Sequence, residues 1–356
     1  MHIAATDLKH ALKKLAPLRT ETFQLSENGV SAQDSDVLVD VSCPFSGLTG
    51  ALNVSGKKLT QVVNRMSGQI EITQSARHIE IKSARAKVDL EAQPSQPAGR
   101  PELPKHNLEI KLADFKKALA ITSASASTAK SAAFGGVVLF QNLPLGLDET
   151  ESSGYRVTGT DAVVLTTATV KTPVPLQFRA LINLTACAVI QAMDSEMILV
   201  GDTNQRLILR DQTTTVYAAR PVQKYPDFDV LLAKKPHTSF ILKPQEWLSA
   251  LRTVEPLIDE TVDKGAIGIH FEENVVYFKN VGSGSVASDE ADYEQVDPDP
   301  VFDPKVVDLK ITEKYLSGFL SRAGGEEEAT LGITDSPIRL EAGNVVVLTM
   351  PVGEKK

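Results

Sequence analysis

The side chains with reactive chemistry to offer are few, and their spacing withholds it. His2, His10, His78, His106, His237 and His270 never pair at metal-ligand spacing, and no Cys-x-x-Cys occurs, so no metal site is expected. Asp161 follows a threonine at a strand edge, where a general base could sit. It has no histidine or second carboxylate near it in sequence to share a proton, so it reads as a turn-forming aspartate. The "GSGS" of Gly282 to Ser285 is flexible-loop chemistry without a phosphate-binding helix behind it. Neither a G-x-x-x-x-G-K-[ST] loop nor a G-x-S-x-G elbow is present. No cofactor and no catalysis are expected. What remains is charge: 37 Lys and Arg against 45 Asp and Glu, a net −8 with pI near 5.4, which argues against coating nucleic acid by bulk attraction. Placement is uneven, however. Acids cluster in "DETES", "SDEADYEQVDPDPVFD" and "GGEEE", whereas lysines fall on segments that read as helices.

Those segments belong to a unit stated three times. "IEITQSARHIEIKSARAKVDLEAQP" from Ile70, "ILVGDTNQRLILRDQTTTVYAARPV" from Ile198 and "ATLGITDSPIRLEAGNVVVLTMPVG" from Ala329 recur at intervals of about 130 residues. Each is a run of short alternating strands, and each follows an amphipathic helix. The first unit spans residues 1–106. "MHIAA" opens it as a strand. A helix follows with Leu8, Leu12 and Leu15 inward and Thr6 or Asp7 as N-cap, and Ser55 caps a second helix bearing Leu59, Val62, Val63 and Met66. Its last strand ends at Ala92, and "QPSQPAGRPELP" closes it as a linker.

The second unit, 107–236, repeats the opening with Leu112, Phe115, Leu119 and Ile121 inward. It places another helix from Asn183 and ends in the linker "QKYPDFDVLLAKKP". The third, 237–356, starts a helix at Pro244, has a hairpin turning at "EEN" and a polar loop beginning at "GSGS". Each unit reads strand–helix–strands–helix–strands. The predicted class is α+β, three repeated domains with helices on one face and antiparallel sheets on the other. Cys43 and Cys187 lie in different units and make no disulfide framework, which fits a reducing cytosol. No apolar run approaches the ~18 residues that span a bilayer. The first residues lack the apolar core of a secretory signal.

With these segments in this order, the chain resembles the bacterial sliding clamp, the DNA polymerase III beta subunit, over its full length. "YRVTGTDAVVLTTATV", "KYPDFDVLL" and "VVVLTMPVG" carry the likeness, with "LNVSGKKLTQVV" and "IEIKSARAKVDLEAQP" adding to it. The resemblance implies a non-catalytic processivity factor in the cytoplasm, associated with the nucleoid. Its clamp domains would form half of a ring, closed by a head-to-tail homodimer around double-stranded DNA without sequence preference. Polymerase and clamp-loader subunits would dock through short linear motifs. Two other readings stay open: a clamp-like scaffold that is not loaded on DNA, and an enzyme on a repeated α+β scaffold.

The resemblance also assigns residues. Phosphates would meet Lys9, Lys13, Lys14, Arg19, Lys57, Lys58 and Arg65 of the first unit, Lys116, Lys117 and Lys130 of the second, and Arg252, Lys314 and Arg322 of the third. Lysine also lies on the solvated face of any amphipathic helix, and "NLTACAVIQAM" has no basic residue. The partner pocket would be lined by Phe134, Thr160, Ala162, Val163, Val164, Leu165, Leu232, Thr312, Tyr315, Pro337, Leu348, Met350 and Pro351, although strand residues such as Leu165 and Leu348 could equally be plain core. The dimer joint would use Val88, Leu90, Leu257 and Ile258. Ala162, Val163 and Val164 replace the family's Gly-His-Arg, Gly353 stands where an arginine often does, and "EKK" runs past the usual end. These departures mark a divergent member, of the kind a phage or plasmid carries.

Overall fold

The computed structural model describes the chain except residues 1, 46–47, 76, 97–98, 103, 105–106, 127–135, 144–153, 173–178, 204, 222–224, 260, 262–264, 273–274, 282–287, 297–307, 335 and 352–356. The element order repeats three times. The first third has β1 (His2–Ala4), α1 (Ala5–Leu15), β2 (Thr22–Ser26), β3 (Gly29–Gln33), β4 (Val37–Ser42), β5 (Ala51–Ser55), α2 (Gly56–Asn64), β6 (Gln69–Gln74), β7 (His78–Lys82) and β8 (Lys87–Ser95). The second has β9 (Asn107–Lys111), α3 (Leu112–Ser123), β10 (Val137–Asn142), β11 (Gly154–Thr160), β12 (Val164–Lys171), β13 (Arg179–Asn183), α4 (Leu184–Ala192), β14 (Met197–Asp202), β15 (Arg206–Arg210) and β16 (Thr214–Ala219). A short helix, α5 (Asp229–Leu232), precedes the third. That third has β17 (Thr238–Leu242), α6 (Pro244–Val254), β18 (Ala266–Glu272), β19 (Val275–Asn280), β20 (Ser288–Val296), β21 (Asp308–Thr312), α7 (Glu313–Ala323), β22 (Ala329–Ile333), β23 (Ile338–Ala342) and β24 (Val345–Thr349).

The chain forms two compact units: Met1–Ala120 with Val137–Tyr155 and Lys171–Val222, and Ile121–Gly136 with Arg156–Val170 and Gln223–Lys356. In the first, one antiparallel ladder runs β1-β6-β7-β8-β5-β2-β3-β4-β16-β15-β14-β9, and β10 pairs with β13. In the second, the ladder runs β11-β12-β24-β23-β22-β17-β20-β19-β18-β21. Counted within its own third, the fourth strand pairs with the eighth strand of the next: β4 with β16, and β12 with β24.

The helices fold from their apolar stripes. α1 buries Leu8, Ala11, Leu12 and Leu15, and α3 buries Leu112, Phe115, Ala118 and Leu119. Ser55 caps α2 by accepting from the Lys58 amide at 3.4 Å, and Asn183 caps α4 from Ala186 at 2.8 Å. Pro244 opens α6, where its missing N–H costs nothing. Two aromatic clusters fill cores. Phe115 packs with Phe140 and Tyr155 at centroid distances of 5.0 and 5.9 Å. Phe240 stacks on Phe271 at 4.3 Å beside the fully buried Trp247, whose Nε1–H donates to the Asp292 carbonyl. Burying each such side chain contributes roughly 1.5–3 kcal/mol.

Tight turns close the hairpins by one device. Asp34, Asp161 and Asp211 each accept two backbone amides two and three residues on, at 2.6–3.0 Å, in Asx turns between consecutive strands. Three sequence expectations change. The α1 N-cap is Ala4, and Thr6 and Asp7 lie inside the first turn, because the helix starts directly from β1. β8 runs past Ala92 to Ser95, since Pro94 still lies opposite Leu52 of β5. The second linker contains α5. The polar loop expected at "GSGS" lies outside the described residues, and the acidic stretch after it is strand β20, with Ala291 and Tyr293 buried between exposed acids.

Candidate docking site

The second unit brings most of the expected pocket residues together. The β12–β24 ladder sets Leu165 opposite Leu348 and Val164 opposite Thr349. Past the ladder's end the Met350 amide donates to the Val163 carbonyl at 3.0 Å. The β11–β12 turn is held on every side. Thr160 Oγ1 donates to the Val164 carbonyl at 2.7 Å and accepts from the Ala162 amide. Asp161 Oδ1 takes the Val163 and Val164 amides. Asp161 Oδ2 accepts from the Tyr315 hydroxyl of α7 at 2.6 Å. Burial pushes the Tyr315 phenol well above its ordinary range, and the Asp161 carboxylate adds to that. The phenol is therefore a permanent donor, and Asp161 has the turn role read from the sequence.

Ala162 closes this turn with φ 77°, a left-handed conformation that glycine adopts freely and alanine does not. Ala162→Gly is expected to stabilise the fold by about 0.5–1 kcal/mol, measured as a higher denaturant midpoint at unchanged slope.

On the other flank Pro337 is buried, and the Oγ of the preceding Ser336 lies 3.6 Å from Met350 Sδ. Leu232 presents its carbonyl to Arg339 Nη1 at 2.6 Å, and Arg339 also pairs with Glu341. A cleft of about 200 Å³ opens there, lined by Leu232, Lys234, Pro236, Gly332, Arg339 and Glu341. Tyr225 donates to the Thr158 carbonyl and Asp229 pairs with Arg156, so the segment before β17 is fastened to β11. Val164, Leu165, Leu348, Thr160 and Thr312 are buried core, as strand and cap residues should be. Met350, 47% exposed, and Pro351 face solvent beside half-buried Val163 and exposed Ala162. Phe134 lies outside the described residues. Lys234, Ser336 and Arg339 escaped sequence reasoning. Only the double lysine before Pro236 could have drawn attention.

The basic residues divide. Lys13, Lys57, Lys58, Arg65, Lys117, Arg252 and Lys314 are exposed, and Arg19 is exposed at φ 52°. Lys9 donates to the Met66 carbonyl at 2.7 Å, and Lys116 to that of Met193. Arg322 is half-buried, and burial lowers its guanidinium pKa from the ordinary value. Lys14 corrects an expectation: only 2% exposed, its Nζ sits 2.8 Å from Asp194 and 3.0 Å from Thr213, out of reach of any phosphate. Lys130 lies outside the described residues. Of the expected joint residues, Val88 is half-buried, Leu90 is buried opposite Ile79, Ile258 is half-buried and Leu257 is 41% exposed.

Reactive chemistry is muted. Cys43 and Cys187 are buried free thiols, pushed by burial up to about 11 and about 12. Among the described residues no cluster of His, Cys, Asp or Glu could hold a metal ion, and no helix is long and apolar enough to cross a membrane.

No protein-family model matches the sequence, and no curated protein matches it. Solved structures do. A putative DNA polymerase III beta subunit from Eubacterium rectale aligns at TM-score 0.85 and 15% identity over 99% of both chains. The DNA polymerase III beta subunit of Thermotoga maritima aligns at 0.85 and 14%, again over 99% of each. The Helicobacter pylori beta clamp, solved bound to a DNA ligase peptide, aligns at 0.78 and 16% over 99% of this chain and 100% of that one. Three-times-repeated elements, ladder order and full-length superposition agree: this chain has the fold of the DNA polymerase III beta subunit, the sliding clamp.

Proposed function

We propose that this chain is a DNA sliding clamp. Two copies close head to tail around duplex DNA, each chain supplying three clamp domains, 1–106, 107–236 and 237–356, and polymerase and loader subunits dock by short peptides at the Met350 site. The supporting observation is the repeated joint. A fourth strand meets the eighth strand of the following third at β4–β16 and at β12–β24. One further application of the rule sets β20 of the last third against β8 of the first third of a second copy. Both strands are fit for it. Lys87–Glu91 of β8 pair with β7 alone, since β5 takes only Ala92–Ser95. Ser288–Asp292 of β20 pair with β19 alone, since β17 takes only Tyr293–Val296. Each leaves a strand edge unpaired among the described residues, and such edges invite partners.

The test is mass and topology. A species of twice 38.4 kDa that stays on nicked circular DNA and slides off on linearisation supports the proposal. A monomer that is not retained refutes it. Met350→Asp should weaken capture of polymerase or loader peptides by tenfold or more, about 1.4 kcal/mol, without changing that mass.

One observation favours the second reading, a scaffold not loaded on DNA. With Lys14 buried and Lys9 and Lys116 tied to carbonyls, the basic face is thinner than the sequence suggests. Retention that falls steeply with salt decides for loading, because phosphate contacts release counterions.

A further inference from the structure

A continuous string of contacts crosses the docking site and ends in a lysine on each side. At one end Lys234 Nζ donates to the Ser336 carbonyl at 3.2 Å. Ser336 Oγ touches Met350 Sδ, and the Met350 amide bonds to Val163. The Val163 amide is held by Asp161, which accepts from Tyr315. At the other end Lys314 Nζ lies 4.9 Å from the Tyr315 ring centroid. Lys234, Lys235 and Lys314 are exposed, as are Met350 and Pro351 between them. Asp161, the carboxylate of the string, is engaged by two amides and a phenol, and near the cleft Glu341 is engaged by Arg339 and Asp229 by Arg156.

From this we infer that the site selects an extended peptide with a central apolar pair and an acidic residue at each end. The inference rests on the docking reading above. Apolar side chains cover Met350, Pro351 and Val163. One terminal carboxylate meets Lys314, and the other meets Lys234 and Lys235 at the mouth of the adjoining cleft. With Ala162 and Val163 in the turn, no charged side chain projects between the lysines from that loop, so the middle of the peptide gains nothing from polarity.

The probe is a labelled ten-residue peptide with two central leucines, flanked at both ends by aspartate, serine or lysine, titrated against the full chain by fluorescence anisotropy. Two exposed ion pairs of up to ~1 kcal/mol together should favour the aspartate peptide over the serine peptide about fivefold at low salt. The gap should close at about 0.5 M salt. Lys234→Glu with Lys314→Glu should reverse the order in favour of the lysine peptide. Equal affinity of the aspartate and serine peptides, with binding still lost in Met350→Asp, overturns the inference and leaves the docking reading standing. Binding of none of the peptides, or binding indifferent to Met350→Asp, removes both.

Discussion

Gly159→Ala is expected to cost about 3 kcal/mol or more. A Cβ built on Gly159 would stand 1.9 Å from the Thr122 carbonyl oxygen and 2.8 Å from its carbon. Both are main-chain atoms at the end of α3, so no side-chain rotation relieves the overlap. Strand β11 must move away from the helix, and it carries Thr160 and the Asp161 turn with it. Denaturant unfolding should show a lower midpoint, and peptide capture at Met350 should weaken in parallel. Gly268→Ala is the control. Its Cβ would meet nothing closer than the Lys279 carbonyl at 3.5 Å, so only a small change is expected. Equal midpoints for the two variants would contradict the account of the β11–α3 approach.

Asp194→Ala should cost about 2–3 kcal/mol, because it strands the Lys14 ammonium at a site only 2% exposed. The loss lies at the low end for a buried pair since Asp194 is 50% exposed. Adding Lys14→Met removes the stranded charge and keeps the volume. The double variant should return to within about 1 kcal/mol of the natural chain, and failure to recover would show that packing, not charge, holds α1 there. The pH dependence has a definite sign. Burial pushes the Asp194 carboxyl up, but Lys14 and then His10 outweigh it and hold it below its ordinary 3.8. A depressed carboxyl lends stability above its unfolded value and loses it as pH falls through the folded one. The gap between the natural chain and Asp194→Ala should therefore narrow below about pH 4.

Much of this fold was legible because the repeat and the apolar stripes are local. Leu112, Phe115 and Leu119 at helical spacing foretold α3, and Ser55 foretold the cap of α2. What stayed hidden depends on distant chain. Lys14 looks like a solvated lysine beside Lys13, yet it shares a face of α1 with the buried Ala11, and Asp194 comes from 180 residues away to cover it. The Tyr315–Asp161 bond spans 154 residues. β20 gave no clear strand signal because its buried residues, Ala291 and Tyr293, are outnumbered by acids that face water. Resemblance pointed to the β11–β12 turn but not to Lys234 beside it, since a lysine in a linker says nothing about the carbonyl it will find.

The aspartate turns bear on the order of assembly. A hairpin whose bend satisfies its own amides has its register set locally, and such hairpins close in about 1–10 μs. The ladder joints between thirds need far longer loops: the Asn344 contact with Thr169 spans 175 residues. Loop-closure entropy and contact order then place the joints last. A nascent chain should carry finished hairpins well before it carries a finished sheet, and the late seam is the same kind of edge that we propose a second chain must recognise.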